Sequence, residues 1–370
     1  MQGAMRVMVR VPNWVGDAVM AVPALRELRR IFGDARITLV ARPWVAGLFD
    51  GEGLADELIA IEASRGALES AKRFAELTLR FRRDRFDFAV LLQNAFGAAL
   101  AARAGGVRKI AGYPTDSRRL LLHFSIPVPS DHKTAHQVTY YLNIASSIER
   151  ELAGESQIDL ERPLPPKLNV GLEAKERALT LIGEFAGAPL SPTSRILAIN
   201  PGATNSRAKQ WIAERYANVA DTLAREDGFQ TIIVGAAGDI EAANKTVQHM
   251  ASPAIALAGK TTIAQLKAVL ACASLLISND TGAAHVSAAL GVPTVVVFGP
   301  TEHFSTRPLS DVVTVVRHDV ECSPCMLRDC PIDHRCMTRV EVNDVYQASR
   351  RLLAATVGLR AEGPALSPRL

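Results

Sequence analysis

Short apolar runs alternate along the chain with longer segments in which apolar residues recur at helical spacing. Runs such as Ile196–Asn200 and Thr294–Phe298 are typical of parallel strands buried on both faces. Segments such as Ala67–Phe81 and Gln137–Glu149 have the spacing of amphipathic helices. This alternation predicts an α/β fold with parallel sheets. The predicted strands are Arg6–Val11, Ile37–Val40, Glu57–Ile61, Phe88–Leu92, Ile196–Asn200, Thr231–Val234, Ala254–Leu257, Leu275–Ile277, Thr294–Phe298 and an edge strand at Val313–Val316.

A polar stretch at 151–168 divides the predicted elements into two series. Its prolines, Pro163, Pro165 and Pro166, make it a stiff linker. Each series begins with a strand, a polar turn and a helix, as doubly wound Rossmann-like domains do. We therefore predict domains at 1–160 and 161–345 with a ligand cleft between them. A helix at 343–358, which could pack back on the first domain, and a flexible tail at 359–370 complete the predicted chain.

The segment Ser278–Thr301 combines a strand end, a tight turn, a helix and the next strand. Thr281 and Gly282 open the helix at the carboxyl end of a parallel strand, where free backbone N–H groups and the helix dipole attract anions. His285 lies one turn further along the same helix face. The pattern predicts a diphosphate site with a histidine donor. The alternative is an ordinary βαβ unit with a core histidine.

The loop after the first strand, Pro12–Asp17, contains one glycine, Gly16, and no G-x-G-x-x-G, which argues against a dinucleotide fingerprint. It presents Asp17 at the start of a predicted helix, Ala18–Ile31, where the helix dipole favours the ionised carboxylate. Such a carboxylate suits a general base. The alternative is an aspartate that only caps its helix.

Further polar turns follow other predicted strands. Asn94 follows Phe88–Leu92, and Asp239 follows the turn after Thr231–Val234, where a carboxylate can contact a ribose. His132 and His136 precede a predicted helix and either bind a polar acceptor or lie in a solvated loop.

Composition and charge narrow the function classes. With 370 residues, 48% hydrophobic and 22% charged, the chain has the make-up of a globular protein of two domains. No apolar run approaches the length of a membrane span, and Arg6 and Arg10 interrupt any signal-peptide core, so we expect a cytoplasmic protein. Residues 1–130 hold 19 basic against 13 acidic side chains. This imbalance indicates either an anionic partner (a membrane surface, a phosphorylated glycan or a nucleic acid) or a solvated basic surface.

Four of the five cysteines lie close together, with the spacing C-x2-C-x4-C-x5-C. A structural zinc site, reduced thiols in a folded loop and disulfides are all compatible with such a cluster. The spacing differs from that of a zinc ribbon, and we expect no metal there. The four are Cys322, Cys325, Cys330 and Cys336.

Four motifs appear in the order and at the spacing of a known family. They are Pro12–Met20 (PNWVGDAVM), Asn200–Ala203 with Lys209–Trp211, Asp280–His285, and Phe298–Thr301. On these residues the chain resembles glycosyltransferase family 9 over roughly residues 5–356. The first motif and the cysteine segment resemble the lipopolysaccharide heptosyltransferase II subgroup. One departure is Ile212, which stands where the family usually has a proline.

The resemblance implies a GT-B fold, with the acceptor bound by the first domain and ADP-heptose by the second. It also implies inverting transfer of L-glycero-D-manno-heptose, without a metal or other cofactor, to the phosphorylated heptosyl-Kdo2-lipid A. Asp17 would be the general base, and Lys209 would contact donor phosphate. The resemblance and the polar turns together imply two sets of binding residues. The donor set is Lys209, Asp280, Thr281, Gly282, His285, Thr204 and Asp239, and the acceptor set is Asn13, Trp14, Gly16, Asn94 and Arg118.

Two other functions are compatible with these residues. One is a related family 9 transferase with another nucleotide-sugar donor, because motifs around a diphosphate do not report the sugar. The other is a non-catalytic nucleotide-sugar-binding protein of the same fold, and the presence of both Asp17 and Lys209 counts against it. We expect a monomer at the inner leaflet of the inner membrane, with no nucleic-acid partner.

Overall fold

The computed structural model describes residues 4–64, 66–191 and 193–361. The chain forms two compact units. Unit 1 runs to Asn169 and takes in Phe304–Thr306, and unit 2 comprises Val170–His303 and the chain from Arg307 onward. The division therefore falls after the proline-bearing stretch rather than at residue 160. No helix in the described part of the chain is long and apolar enough to cross a bilayer.

Unit 1 is built on a parallel sheet of six strands. The strands are β1 (Arg6–Arg10), β2 (Arg36–Ala41), β3 (Glu57–Ala60), β4 (Phe88–Leu91), β5 (Lys109–Gly112) and β6 (Phe124–Ser125). The helices are α1 (Val15–Met20), α2 (Val22–Phe32), α3 (Pro43–Ala46), α4 (Ala67–Asp84), α5 (Phe96–Ala104) and α6 (Gln137–Ala153). The strand order is β3-β2-β1-β4-β5-β6, so the order reverses between β1 and β4. Ligands of open α/β sheets bind at the carboxyl ends of the strands beside such a reversal.

Unit 2 repeats this architecture. Its strands are β7 (Ile196–Asn200), β8 (Gln230–Ile233), β9 (Ala254–Ala256), β10 (Leu275–Asn279), β11 (Thr294–Val297) and β12 (Val313–Val316). Its helices are α7 (Leu172–Ala186), α8 (Ala213–Asp227), α9 (Ile240–His249), α10 (Ile263–Leu270), α11 (Gly282–Ala289), α13 (Arg335–Thr338) and α14 (Val342–Ala361). The short helix α12 (His303–Thr306) falls almost entirely in the segment that belongs to unit 1. The parallel strands follow the order β12-β11-β10-β7-β8-β9, which reverses between β7 and β10.

The core of unit 2 explains why its strands read as continuous apolar runs. Strands β7 and β10 are buried along their whole length. Tyr216 and Leu223 of α8 are completely buried in the cluster that covers one face of the sheet. Complete burial of a leucine-sized side chain stabilises the fold by roughly 1.5–3 kcal/mol. Because both faces are covered, polar side chains are confined mainly to the strand ends, where the candidate site lies.

All ten predicted strands are present to within two residues of the predicted ends. The helix predicted at Ala18–Ile31 is wrong in its start. It begins earlier, at Val15, and is divided at Ala21 into α1 and α2. Pro23 lies in the first turn of α2, where its missing N–H costs no helical hydrogen bond. Several elements lie outside the predicted ranges: the strands β5 and β6 and the helices α3, α5, α7, α9, α10, α12 and α13.

The last described helix belongs to unit 2. It packs against α8, β11 and β12, and Val345, Ala348 and Leu352 carry its buried face. The expectation that the helix could also pack back on the first domain stays a prediction. The helix also extends to Ala361, beyond its predicted end. Of the expected tail at 359–370, residues 362–370 lie outside the described residues.

Candidate active site

Three segments of unit 2 converge on one carboxylate. Asp280, directly after β10, is only 8% exposed, and its Oδ2 accepts hydrogen bonds from Lys209 Nζ at 2.7 Å and from Thr301 Oγ1 at 2.8 Å. Lys209 lies beyond β7, and Thr301 lies beyond β11. The lysine side chain stays 27% exposed, so its ammonium is fixed where a ligand can reach it. The sequence predicted Lys209 and Asp280 as donor residues but not their ion pair or the threonine.

The N-terminus of α11 lies beside this ion pair. Thr281 is its N-cap residue, yet the threonine hydroxyl does not cap the helix. Instead, Oγ1 accepts a hydrogen bond from Asn200 Nδ2 at 2.9 Å and lies 3.1 Å from Ser278 Oγ. The first-turn N–H groups, beginning at Gly282, thus lack a cap from this side chain, and the helix dipole adds positive charge to that of the lysine. This combination attracts a phosphate.

His285 lies on α11, one turn beyond its start. Its side chain is 5% exposed. The structure therefore places it at the predicted position on the helix, with its ring mostly covered by protein.

One asparagine that the sequence analysis did not single out fixes the shape of this site. Asn279, at the end of β10, is completely buried. Its Oδ1 accepts hydrogen bonds from Trp211 N and Tyr216 OH, both at 2.9 Å, and its Nδ2 donates to the carbonyls of Pro201 and Gly202. A polar side chain at the buried end of an apolar strand was the signal for it in the sequence.

Asp239 supports a turn rather than facing solvent. It is 5% exposed, and its two carboxylate oxygens accept hydrogen bonds from Ala236 N at 2.9 Å and Thr204 Oγ1 at 3.1 Å. A Cβ on Gly202 would lie 2.2 Å from Asp239 Cγ, so this position accepts only glycine. Both of its oxygens are engaged, and it positions the exposed Thr204. The ribose contact expected of Asp239 stays a prediction.

In unit 1, Asp17 lies in the first turn of α1, together with Gly16, and not in the preceding loop. The N-cap residue is Trp14, so Asp17 is not the cap of this helix. Asp17 Oδ1 accepts a hydrogen bond from Tyr141 OH at 3.2 Å. Burial, reinforced by the Asp17 carboxylate, raises the pKa of Tyr141 well above its ordinary value, so the phenol remains a neutral donor. The neutral phenol of Tyr141 therefore helps to orient the Asp17 carboxylate.

Arg118 was expected to contact the acceptor, but its side chain is completely buried. Its Nε donates to the Tyr113 carbonyl at 2.7 Å, Nη2 donates to Asn94 Oδ1 at 2.8 Å, and Nη1 donates to the Gln93 carbonyl. Asn94 Nδ2 in turn donates to Tyr140 OH at 2.6 Å. Arg118 thus holds the turn after β4 in place, and its contact with the acceptor stays a prediction.

The segment after β1 holds the other residues expected at the acceptor. Asn13 Oδ1 accepts a hydrogen bond from Arg10 Nη2 at 2.6 Å, and the Asn13 carbonyl accepts one from Trp44 Nε1 at 2.8 Å. Trp14 is 57% exposed. This segment and the Asn94 turn follow β1 and β4, the two strands at which the order of the sheet reverses.

The cysteines of the C-terminal cluster are free thiols. Cys336 is buried, and its pKa is raised to about 11 by burial and by the neighbouring thiols of Cys322, Cys325 and Cys330. Across residues 4–64, 66–191 and 193–361, no group of three or more His, Cys, Asp or Glu side chains is arranged to hold a metal ion.

Comparison with known proteins shows to which family the chain belongs. A family model described as glycosyltransferase family 9 (heptosyltransferase) matches residues 74–335. The chain is 31% identical over 318 residues to lipopolysaccharide heptosyltransferase 2 of Escherichia coli K12, which covers 85% of this chain and 88% of the relative. The chain belongs to glycosyltransferase family 9. As a family 9 member it is a glycosyltransferase enzyme, which confirms the prediction made from the four motifs.

Further similarities extend over nearly the whole family 9 chain. The chain is 29% identical over 356 residues to lipooligosaccharide heptosyltransferase 2 of Campylobacter jejuni, and the match covers 94% of this chain and 98% of the relative. A solved structure of the E. coli ADP-heptose LPS heptosyltransferase II matches with a TM-score of 0.80 at 26% identity, covering 95% of this chain and all of that one. The predicted GT-B fold is confirmed by this match and by the two parallel six-stranded sheets.

Proposed function

We propose that this family 9 glycosyltransferase moves L-glycero-D-manno-heptose from ADP-heptose to the heptosyl-Kdo2-lipid A inner core of lipopolysaccharide. The observation that carries the proposal is the similarity to enzymes named heptosyltransferase 2 over 85–94% of the chain. The geometry of unit 2 by itself would suit many nucleotide sugars, since its charged and N–H groups recognise the diphosphate and do not discriminate between sugars.

The donor diphosphate binds at the N-terminus of α11. Lys209 and the N–H groups from Gly282 onward contact its oxygens, and His285 supplies a further donor. Asp280 and Thr301 hold the lysine ammonium in position. As the bond from the anomeric carbon to the phosphate oxygen breaks, these groups neutralise the charge that develops on departing ADP. They do so without a metal ion.

The acceptor binds to unit 1, where Asp17 is the general base. Asp17 takes the proton from the acceptor hydroxyl as that oxygen forms its bond to the anomeric carbon. Because attack occurs on the side opposite to the departing ADP, the configuration inverts. Asn13, Trp14, Gly16 and Asn94 border the acceptor, and Arg118 keeps the Asn94 turn in place.

The acceptor is reached at the inner leaflet of the inner membrane, on its cytoplasmic side, by a monomeric protein. The basic excess of residues 1–130 supports this placement, because anionic lipid surfaces attract basic segments. No membrane insertion is needed for such binding.

Nucleotide selectivity tests the donor. In a thermal-shift comparison of ADP, UDP, GDP and NAD, we expect selective stabilisation by ADP. A ligand at a hundred times its dissociation constant adds roughly 2.7 kcal/mol to the free energy of unfolding. Stabilisation by UDP alone would point to a family 9 transferase with another donor and would contradict the proposal.

A further inference from the structure

A cavity of about 220 Å³ opens at the carboxyl edge of the sheet in unit 1. Arg10 at the end of β1, Arg42 after β2, Arg73 on α4 and Gln93 after β4 line its polar side. The apolar part of the lining includes Met8, Phe74, Leu77 and Phe81.

Arg10 carries an uncompensated positive charge into this cavity. Its side chain is only 6% exposed, and its guanidinium donates to the carbonyls of Val11 and Val40 and to Asn13 Oδ1, all of them neutral oxygens. No carboxylate of the described residues lies within ion-pair distance of it. Burial and the neighbouring Arg42 lower its pKa to about 9. A buried cation without a counter-charge is costly to the fold, so an anion from outside would be bound favourably.

Arg42 adds a second unsatisfied group. Its Nη1 donates to the carbonyls of Ile61 and Glu62 at 3.2 and 2.7 Å. Its Nε is buried and has no hydrogen-bond partner within the described chain. Buried N–H groups are rarely left unpaired, because each costs free energy comparable to a lost hydrogen bond. An oxyanion between the two guanidinium groups would offset their mutual repulsion. Its oxygens would also accept hydrogen bonds from them, including one from the unpaired Arg42 Nε.

The acidic residues near the cavity do not supply that anion. Glu69 forms an ion pair with Arg73 at 3.0 Å. Glu62 also lines the cavity, but in the described part of the chain its carboxylate forms no ion pair with Arg10 or Arg42. The positive charge of the buried Arg10 and the half-buried Arg42 is therefore left for a ligand.

We propose that this cavity binds an oxyanion, a carboxylate or phosphate carried by the sugar acceptor, between Arg10 and Arg42. The identification of the carrier rests on the proposed function; the anion site itself does not. Two contacts connect the cavity to the acceptor segments. Arg10 bonds to Asn13, four residues before Asp17, and Gln93 adjoins Asn94. The apolar wall suits the carbon skeleton of the sugar that carries the anion.

The anion site is tested by titrating the full chain with inorganic phosphate at constant ionic strength. Arg42→Gln should weaken the binding at least about tenfold, because a hydrogen bond to a charged group is lost. Arg42→Lys keeps the positive charge and should retain part of the phosphate affinity. Arg83→Gln is the matched control, because this exposed arginine on α4 does not line the cavity, and the variant should bind phosphate as the wild type does. Phosphate binding should persist in Lys209→Ala, which alters only the donor site of unit 2.

The identity of the carrier is tested with the transfer reaction. Arg42→Gln should raise the acceptor KM at least about tenfold and leave the donor KM unchanged, and an acceptor without its anionic group should show no such difference. Equal phosphate affinity in folded Arg42→Gln and wild type would overturn the anion site. Weakened phosphate binding with an unchanged acceptor KM would overturn the acceptor assignment and identify free phosphate as the ligand. If no transfer occurs at all, the proposed function fails, while the titration still decides the anion site.

Discussion

Replacing Asp17 with asparagine is expected to lower the turnover of heptosyl transfer by at least about a hundredfold, because a positioned general base contributes roughly 10²–10⁴-fold to the rate. Asparagine has nearly the same size, and its oxygen still accepts the hydrogen bond that Tyr141 OH donates to Oδ1. The change therefore removes the proton acceptor and leaves the packing around α1 intact. Initial rate and melting temperature, measured on one preparation, separate these effects.

The matched control for Asp17→Asn is Tyr141→Phe. It keeps the carboxylate and removes only the donor that orients it, so its turnover should fall less. ADP binding should be unchanged in both variants, because the residues proposed for the donor belong to unit 2. A stable Asp17→Asn protein with near-normal turnover would place the base elsewhere, and the Asn94 turn or the His132–His136 segment would be examined next.

Replacing Lys209 with alanine is expected to lower kcat/KM for the donor by about 10- to 150-fold. A hydrogen bond to a charged group contributes roughly 1.5–3 kcal/mol. The loss is compounded by Asp280, because its carboxylate is 8% exposed and would be left unpaired beside the donor phosphates. Lys245→Ala is the control, since this exposed lysine on α9 pairs with Glu241 and neither residue belongs to the donor set.

A double variant distinguishes two roles of the lysine. If Lys209 only neutralised the aspartate, Lys209→Ala combined with Asp280→Asn would restore the donor kinetics. If Lys209 contacts phosphate, the double variant stays impaired, and this is the result we expect. Unchanged donor kinetics in the single Lys209→Ala variant would show that the phosphates bind elsewhere.

The strands and the strand ends were predictable because their signal is local. Each buried strand is a continuous apolar run, and each polar turn directly follows one, so the sequence located Asp17, Asn94 and Asp280 at the carboxyl edges of the sheets. The helix at Asp17 was placed too late because the PNWVGD segment contains proline and glycine, which suggest a loop. In the structure, Pro12 precedes the helix, and Gly16 lies within its first turn.

The roles of individual polar side chains depended on contacts between distant segments. The buried Arg118 bonds to the carbonyl of Gln93 and the side-chain amide of Asn94, both more than twenty residues earlier. Asp239 faces Thr204, thirty-five residues away. The Arg10–Arg42 cavity arises from the pairing of β1 with β2, which brings together side chains whose spacing in the sequence carries no motif. Local patterns identify where a ligand binds, and long-range pairing decides which side chains reach it.

The most direct test of the account is to incubate the wild-type protein with ADP-heptose and heptosyl-Kdo2-lipid A and analyse the product. The account predicts release of ADP and gain of one heptose on the acceptor, with the anomeric configuration opposite to that of the donor. A retained configuration would contradict the single displacement assisted by Asp17. Absence of transfer from ADP-heptose, together with transfer from another nucleotide sugar, would contradict the proposed function itself.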